Sequence, residues 1–525
     1  MQNLTVQKVC IGLITLAVFV IAPWLTTQLL EGNPTPVFVL LGLGLLLLLV
    51  FKLGDRCWLL IPFCLPVEGT LNFLPINFSM AELATMGVMA YIALQIIMGR
   101  QIHWKLGPAF IWLPLAGLLA IFLYHWIASG DIGIKIFGGT SWGGRRYYKI
   151  LLAVLTIPIL TSFSGASWSD FQKVPLVYFL GTLVDLVPNT LSTILPQTAP
   201  YIYRFYSAVN ISEYGKEIMG NFAGEASITR YSTFARVGTA VALLVLCYNP
   251  FRTWLDPKKL WIMPLLLVCL VMSALSGFRS YILTLMIGVG VAVFATARFR
   301  VLLAAPVGGL VLLILTSLQG NVLQYPLSMQ RALSFLPGQW DAQAVHETKG
   351  SNDWRKQIKD LFYTEYFKKA PLLGQGYSFD PNLAKMETDI YLRLAQRMEN
   401  DPYGQVRSFI EMRQPHEGDV HVLLVAGLVG AFFFVSFCLS VCLFAVGGLL
   451  RTPVQEVSPT QIWCAALLIQ QSISFFLVFG DLTLALGSLC PVAAILNASE
   501  KLRPKRLVPA TEPAPLPTSP GLVPV

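Results

Sequence analysis

The chain has 525 residues, of which 55% are hydrophobic and only 12% charged, with a formal net charge of +9. Soluble globular proteins carry about 25% charged residues, so this composition excludes an ordinary soluble domain. Apolar stretches such as 37–51 and 265–275 are continuous and do not alternate with period two, which argues against a transmembrane β-barrel. The sequence therefore predicts an all-α polytopic membrane protein.

About fourteen stretches come near the length of roughly 20 residues that a helix needs to cross a bilayer. We expect the first to be a span and not a signal peptide, because it is too long for an h-region and lacks a small-residue cleavage site. The third is the weakest, since Pro62 and Pro66 interrupt it and Glu68 ends it, so it is expected to be kinked or partly inserted. The predicted spans are residues 9–30, 35–53, 57–74, 79–98, 107–128, 147–163, 172–195, 233–248, 260–276, 279–297, 300–318, 421–447, 461–480 and 482–497.

Basic residues in short connections predict the orientation of these spans. With the N-terminus inside, both termini are cytoplasmic, and the opposite face receives segments 129–146, 196–232, 277–280 and 319–420. The cytoplasmic connections then hold Lys52, Arg56, Arg100, Lys105, Lys173, Arg252, Lys258, Lys259, Arg298, Arg300 and Arg451.

The largest connection, 319–420, is expected to form one partly helical loop subdomain outside the membrane. Apolar residues recur at helical spacing between 354 and 362 and again between 383 and 394, and Gly374-Gln375-Gly376 predicts a turn between the two helices. The predicted units are N-terminal transmembrane helices (1–195), core transmembrane helices with arginine-bearing outer connections (196–318), the loop subdomain (319–420), C-terminal transmembrane helices (421–500) and a disordered, proline-rich cytoplasmic tail (501–525).

Several arginines are predicted on the outer face, although the positive-inside bias disfavours them there. Arg279 lies in a turn between two spans with almost no connecting loop, and a guanidinium held there can bind a phosphate group bidentately. Alternatively, such arginines extend to lipid head groups, the connection with Arg145 and Arg146 is cytoplasmic, or Arg355 is a solvated residue on a polar helix face. The candidate phosphate-binding residues are Arg230, Arg279, Arg236, Arg145, Arg146 and Arg355.

A histidine, His416, closes the large loop at the mouth of a predicted span, within Pro415-His416-Glu417. Its ordinary pKa of about 6.5 suits a general base that removes a proton from a hydroxyl group. Glu417 would orient the ring or deprotonate the hydroxyl itself. The alternative is a structural hydrogen bond from a partly buried imidazole. The five histidines are too scattered to suggest a zinc cluster, and no metal site is predicted.

Residues 230–430 resemble the O-antigen ligase and O-antigen polymerase family of integral-membrane glycosyltransferases. The ligase-type signature is His, then Asn, Ser or Gln, nine residues, Gly, two residues, and Gly, Thr or Tyr, and His416, Glu417, Gly427 and Gly430 fit its spacing. Three further pieces occur in the family's order, namely Thr229-Arg230-Tyr231-Ser232-Thr233-Phe234, Ser276-Gly277-Phe278-Arg279-Ser280, and Trp354-Arg355 followed by Pro371-Leu372-Leu373-Gly374-Gln375-Gly376-Tyr377.

The chain departs from the family pattern at two positions. Glu417 stands where the signature has an amide or hydroxyl side chain. Val425 stands where many polymerases carry a glutamate two residues before the first glycine.

The resemblance implies an inverting, metal-independent glycosyltransferase without cofactor. It would move a glycan from undecaprenyl pyrophosphate to an acceptor sugar hydroxyl or lipid-linked acceptor, with His416 activating the acceptor. Arg230 and Arg279 would hold the pyrophosphate, with Arg145, Arg146 and Arg355 as second-rank contacts. It further implies a multi-pass protein of the bacterial inner membrane with a periplasmic large loop. Partners would be the lipid bilayer and the flippase and chain-length regulator of the pathway, with no nucleic acid.

Other functions remain open at the level of the sequence. Within the family, a polymerase of O-antigen or exopolysaccharide is slightly favoured over an O-antigen ligase or a protein O-oligosaccharyltransferase. A lipid-linked glycan transporter would need polar groups along a mid-span path, and Asp185 with Gln470-Gln471 does not form one. A non-catalytic scaffold would leave the arginines at fixed outer turns unexplained.

Overall fold

The computed structural model describes residues 26–27, 30, 35–71, 78–102, 104–129, 144–162, 166–207, 228, 230, 232–254, 256–377 and 403–503. Almost all of the predicted first span, the second predicted loop helix and nearly all of the tail lie outside these residues. Within the described part the α-helices are α1 (Thr35–Leu53), α2 (Leu60–Cys64), α3 (Met80–Ile97), α4 (Ala109–Ser129), α5 (Gly144–Ser162), α6 (Trp168–Gln172), α7 (Val174–Ile194), α8 (Ala199–Phe205), α9 (Ser232–Tyr248), α10 (Ile262–Leu275), α11 (Arg279–Ala297), α12 (Val301–Leu318), α13 (Leu327–Leu333), α14 (Ala342–Leu361), α15 (Gly404–Glu411), α16 (Gly418–Arg451), α17 (Pro459–Leu477) and α18 (Leu482–Leu502).

Eight helices of the described part are long and apolar enough to cross a membrane: α3, α4, α7, α10 with the residues just before it, α11, α16, α17 and α18. The all-α membrane architecture is therefore plausible, whereas the number fourteen stays a prediction. α9 is apolar but shorter, and so is the part of α12 after Pro306. α5 begins with Gly144-Arg145-Arg146, which lowers its mean hydropathy.

The third predicted span does not form a continuous crossing helix. A 3₁₀ helix, Gly54–Leu59, leads into the five residues of α2, and the chain then turns. It continues into the two-residue strand β1 (Thr70–Leu71), which pairs antiparallel with β2 (Tyr206–Ser207). Proline lacks the N–H group that helix continuation needs, so the break agrees with the expected kink.

Side-chain caps fix where several helices begin. Ser79 and Glu82 form a capping box at the start of α3, and Ser458 and Gln461 form another at α17. The Asp481 side chain accepts hydrogen bonds from Thr483 N and Leu484 N at the start of α18. Such caps satisfy backbone N–H groups that lack a partner in the first helical turn.

The buried core lies where these helices pack together. α18 packs between α5 and α17, α16 packs on α4 and α17, and α9 packs on α10. α18 is the most enclosed of the candidate spans, and Trp463 of α17 is fully buried. The central helices therefore provide a fixed platform for the groups at their ends.

The segment between α12 and α16 lies on one end of the helix bundle, which we name the loop face. Its α14 continues into a π-helical turn, Phe362–Tyr366, and packs against α15. Ile358 and Phe362 form a buried apolar cluster with Ile410 of α15 and Val420 of α16. Burial of apolar area stabilises such a contact, so this segment is fixed to the beginning of α16.

Candidate active site on the loop face

One helix, α14, contacts each group of the candidate site. Glu347 pairs with two arginines, and Asn352 accepts a hydrogen bond from Arg279. Further along, Arg355 pairs with Glu417, while the Trp354 ring lies 6.2 Å from the ring of His416. Glu347 and Trp354 are seven residues apart, and Asn352 and Arg355 are three apart. Residues at these spacings lie on the same side of a helix, so one side of α14 brings these groups together.

Arg230, Arg279 and Arg331 form the first part of the site. Arg331 Nε lies 3.0 Å from Glu347 Oε2, and Arg331 Nη1 donates to the Gly277 carbonyl at 2.6 Å. Gly277 belongs to the turn that carries Arg279, so Arg331 fixes this turn. Arg230 Nη2 is 3.8 Å from the same Glu347 oxygen, and its guanidinium lies 5.6 Å from the centre of the Phe278 ring.

These guanidinium groups are close enough to repel one another. Burial lowers the pKa of Arg331 to about 10, with the positive charges of Arg230 and Arg279 contributing in the same direction and Glu347 opposing them. Among the described residues, Arg230 Nε is buried without a hydrogen-bond partner. A buried donor without an acceptor is unfavourable, so this group favours binding of an anion.

Glu417 forms the second part of the site and is buried. Its carboxylate lies 3.1 Å from Arg355 Nε and 3.3 Å from Lys359 Nζ, and Lys359 also pairs with Asp419 at 3.1 Å. Arg355 Nη2 donates to the carbonyl of Val478, between α17 and α18. Glu417 therefore links the loop segment to two transmembrane helices.

The charges of the two parts do not cancel. Among the described residues of the site, five cations are held against three carboxylates, which leaves two positive charges in excess. Oppositely charged ligands are attracted strongly to such a site where burial reduces screening. The cations are Arg230, Arg279, Arg331, Arg355 and Lys359, and the carboxylates are Glu347, Glu417 and Asp419.

His416 lies among aromatic rings at the edge of this cluster. Its imidazole is 4.8 Å from the Phe479 ring and 5.3 Å from the Phe409 ring, measured between centroids. Its backbone is left-handed, with φ of 59°, a conformation uncommon outside glycine, although histidine is among the residues enriched in it. In the described part of the chain, its ring nitrogens make no hydrogen bond, so they are available to a substrate hydroxyl.

Burial sets the protonation of His416. Desolvation lowers the pKa of its imidazole below the ordinary value, Asp481 opposes this, and Arg146 adds to it. A lowered pKa keeps the ring neutral at pH 7, which is the form that can accept a proton.

The structure requires glycine at the two glycine positions of the sequence motif, Gly427 and Gly430, for different reasons. Gly427 interrupts α16, with φ of 65° and ψ of −167°, a combination that is essentially restricted to glycine. The interruption releases backbone groups of α16, and residues 371–376 pair with them: Leu428 N donates to Pro371 O, Val429 N to Leu372 O, Gln375 N to Leu424 O and Gly376 N to Val425 O. At Gly430 an added Cβ would overlap the Cβ of Ala426, while Ile121 and Leu118 of α4 lie at ordinary contact distance from it.

The remaining predicted arginines lie in buried ion pairs of the transmembrane helices. Arg145 pairs with Glu82 at 2.8 Å, and Arg146 pairs with Asp481. Arg236 is paired with Asp185 and lies 3.6 Å from Glu68. Their predicted contact with pyrophosphate stays a prediction, and each would have to leave or share a carboxylate to make it.

Sequence reasoning missed Arg331, Glu347 and Lys359. They occur in the long loop without a motif, and the sequence offers no signal that separates them from solvated residues. Among the described residues, no three or more His, Cys, Asp or Glu side chains come together as a possible metal site. The groups of this site that can bind an anion are guanidinium and ammonium groups.

Comparison with known protein families adds an independent finding. Residues 264–435 match the family model of O-antigen ligase. The match runs from α10 into α16 and contains Arg279, Arg331, Arg355, His416 and Gly427, whereas Arg230 lies before it. No curated protein matches the chain. The resemblance stated from the sequence is supported over this region: residues 264–435 are similar to O-antigen ligase, and the apolar helices indicate an integral membrane protein.

Proposed function

We propose that the protein is an inverting membrane glycosyltransferase that moves an oligosaccharide from undecaprenyl pyrophosphate to an acceptor sugar hydroxyl. The observation that carries the proposal is the excess of two positive charges beside a neutral imidazole. A pyrophosphate diester carries two negative charges, so the cluster matches its charge. The match to the O-antigen ligase family model supports the same class of reaction.

Arg230 and Arg279 are the proposed pyrophosphate ligands, with Arg355 beside them. Arg230 has a long contact to Glu347 and, among the described residues, a buried Nε without a partner, so it can reorient towards an anion at little cost. Arg279 donates a hydrogen bond to the neutral side chain of Asn352. Arg331 is held by Glu347 and the Gly277 carbonyl, so it contributes charge and positions the turn.

In the proposed reaction, the acceptor oxygen forms a bond to the anomeric carbon of the donor glycan. The bond between that carbon and the pyrophosphate oxygen breaks, and its electron pair leaves with the pyrophosphate. His416 Nδ1 or Nε2 takes the acceptor proton. The guanidinium groups stabilise the negative charge that grows on the leaving group.

Glu417 is proposed to position the catalytic segment. Its carboxylate is already held by Arg355 and Lys359 and is buried, so it has less access to an acceptor proton than His416. Glu417 directly follows His416, and its side chain does not cap α16. The ion pairs of Glu417 therefore fix the backbone next to His416 and so the position of the imidazole.

The proposed location is the bacterial inner membrane, with the loop face in the periplasm and both termini in the cytoplasm. This orientation follows from the basic residues of the short connections. The match to the O-antigen ligase family model and the apolar helices support an integral membrane protein.

The test uses purified protein with undecaprenyl-pyrophosphate-linked oligosaccharide and candidate acceptors. Wild type is compared with His416→Ala and Arg279→Ala, and Arg451→Ala, at the other end of α16, serves as the matched control. A product ladder from wild type and the control would identify a polymerase. A single transfer to a lipid or protein acceptor would identify a ligase. Transfer that survives both site variants would refute the assigned site, and movement of intact donor across vesicles without transfer would favour a transporter.

A further inference from the structure

The excess positive charge of the candidate site lies in one of its two parts. Around Glu347, three arginines face a single carboxylate, and this accounts for the whole excess among the described residues. In the other part, Arg355 and Lys359 face the carboxylates of Glu417 and Asp419. The first part therefore favours an anion, whereas the paired groups of the second part are neutral as a set and favour an uncharged ligand.

The neutral part lies where α14 faces the beginning of α16. Arg355, Lys359 and Tyr363 follow one another at intervals of four residues, so they lie on one side of the helix. Glu417 beneath them is buried, whereas the side chains of Lys359 and Asp419 are 39% and 36% exposed. Tyr363 is 42% exposed. We name the three accessible residues, Lys359, Asp419 and Tyr363, the neutral strip.

The ring of Tyr363 is held in a fixed position. It lies in the π-helical turn next to the buried Phe362, and the ring centroids of Phe362 and Phe367 are 5.1 Å and 5.8 Å from its own. Burial raises the pKa of the Tyr363 hydroxyl, the charge of Asp419 adds to this, and Lys359 opposes it. The hydroxyl is therefore protonated at pH 7 and can donate a hydrogen bond. Little side-chain freedom remains to be lost when a ligand packs on the ring.

The two charged residues of the neutral strip can still form hydrogen bonds with a ligand. The Lys359 ammonium has three donors and contacts two carboxylates. Within the described part of the chain, Asp419 Oδ1 is buried and accepts no hydrogen bond, which is unfavourable. Ligand sites commonly combine aromatic rings with a few polar groups. A sugar matches this set, because it has an apolar ring face and hydroxyl groups that donate and accept.

The order of groups along α14 agrees with the geometry of an inverting transfer. Trp354, whose ring lies beside His416, is about 10 Å from Glu347 and about 13 Å from Tyr363 along the helix, at 1.5 Å per residue. His416 thus lies between the anion-binding part and the neutral strip. In an inverting displacement the attacking group approaches from the face opposite the leaving group. The acceptor is therefore expected on the side of Tyr363.

We propose that the neutral strip is the subsite for the acceptor glycan, with an uncharged sugar ring packed on Tyr363 and its hydroxyl groups bound by Asp419 and Lys359. This assignment rests on the proposed transfer reaction and gives the site a direction. The donor pyrophosphate lies towards Glu347, and the acceptor glycan extends from His416 towards the end of α14. Tyr363 is a binding residue for the acceptor and takes no part in proton transfer.

The test measures binding and transfer with the full chain in phosphatidylcholine nanodiscs. Because a polymerase uses the same repeat unit as donor and acceptor, the binding probe is the phosphate-free oligosaccharide that mild acid releases from the lipid-linked donor. Tyr363→Ala should weaken its binding and raise KM for the acceptor about 5- to 50-fold. KM for the donor and the pH profile should stay unchanged. Tyr363→Phe should restore most of the loss, and Tyr201→Ala, at a 75% exposed tyrosine of α8, should have no effect.

Failure of the subsite and failure of the proposed reaction give different results. Transfer with an unchanged acceptor KM in Tyr363→Ala would overturn the subsite and leave the reaction intact. Binding that depends on Tyr363, without any transfer, would support the subsite and overturn the reaction.

Three other results would also overturn the subsite. The first is the absence of saturable binding to wild type. The second is a lower melting temperature of Tyr363→Ala at equal acceptor KM, which would assign the ring to anchoring at the membrane interface. The third is tighter binding of the probe after its primary hydroxyls are oxidised to carboxylates, because this would assign the glycan to the arginines and not to the neutral strip.

Discussion

Substitution of Gly427 by alanine tests the junction between α16 and the 371–376 segment. An alanine there would have to adopt φ of 65° and ψ of −167°, at a cost of about 1–3 kcal/mol. Its Cβ would also overlap the carbonyl group of Leu372. Relief of the overlap would separate the two segments, which share four backbone hydrogen bonds worth about 0.5–1.5 kcal/mol each. The expected destabilisation is therefore about 3–9 kcal/mol if all four bonds are lost.

The chain offers a matched control in the same helix. Gly447 of α16 has open space where a Cβ would stand, so Gly447→Ala should stabilise by about 0.5–1 kcal/mol through helix propensity. The assay is thermal unfolding of both purified variants in one detergent, together with glycan transfer. Gly427→Ala should unfold at a clearly lower temperature and lose activity. Equal melting temperatures for the two variants would refute the structural reason given for this glycine.

Four further predictions concern the site itself. His416→Ala should lower kcat by about 10²- to 10⁴-fold. Burial lowers the pKa of His416, and a general base acts above its pKa, so the acid limb of the wild-type kcat/KM profile should lie below pH 6.5. An acid limb above pH 6.5 would contradict the buried environment assigned to His416. Arg279→Lys keeps the charge but loses the fork geometry, so kcat/KM should fall about 10- to 100-fold; near-wild-type kinetics would show that charge alone suffices. Arg331→Gln should raise KM for the donor more than it lowers kcat, with partial rescue by Arg331→Lys, whereas a loss of folded protein in both variants would reduce Arg331 to a structural residue. Glu417→Gln should keep measurable transfer with the same pH profile as wild type, and complete loss without unfolding would make Glu417 a catalytic base.

The sequence by itself determined the membrane character and the position of most helices. Continuous apolar stretches set helix length, because a bilayer of fixed thickness leaves few other solutions. Predicted and observed limits agree closely for α3, α9 and α11, whereas α18 runs five residues beyond its predicted end. The motif around His416 indicated the family together with the three upstream pieces in the same order, and the family model matches residues 264–435.

Only the tertiary structure decided which charged residues belong together. Arg145 and Glu82 are 63 residues apart, and Arg146 and Asp481 are 335 apart, so no local pattern could show that these arginines already have carboxylate partners. The same holds for Arg331, which donates a hydrogen bond to the Gly277 carbonyl, and for Glu347, which pairs with Arg230. Neither contact could be predicted from the local sequence. Hydropathy records how much of a segment can enter the bilayer, whereas the pairing of charges depends on which helices pack side by side.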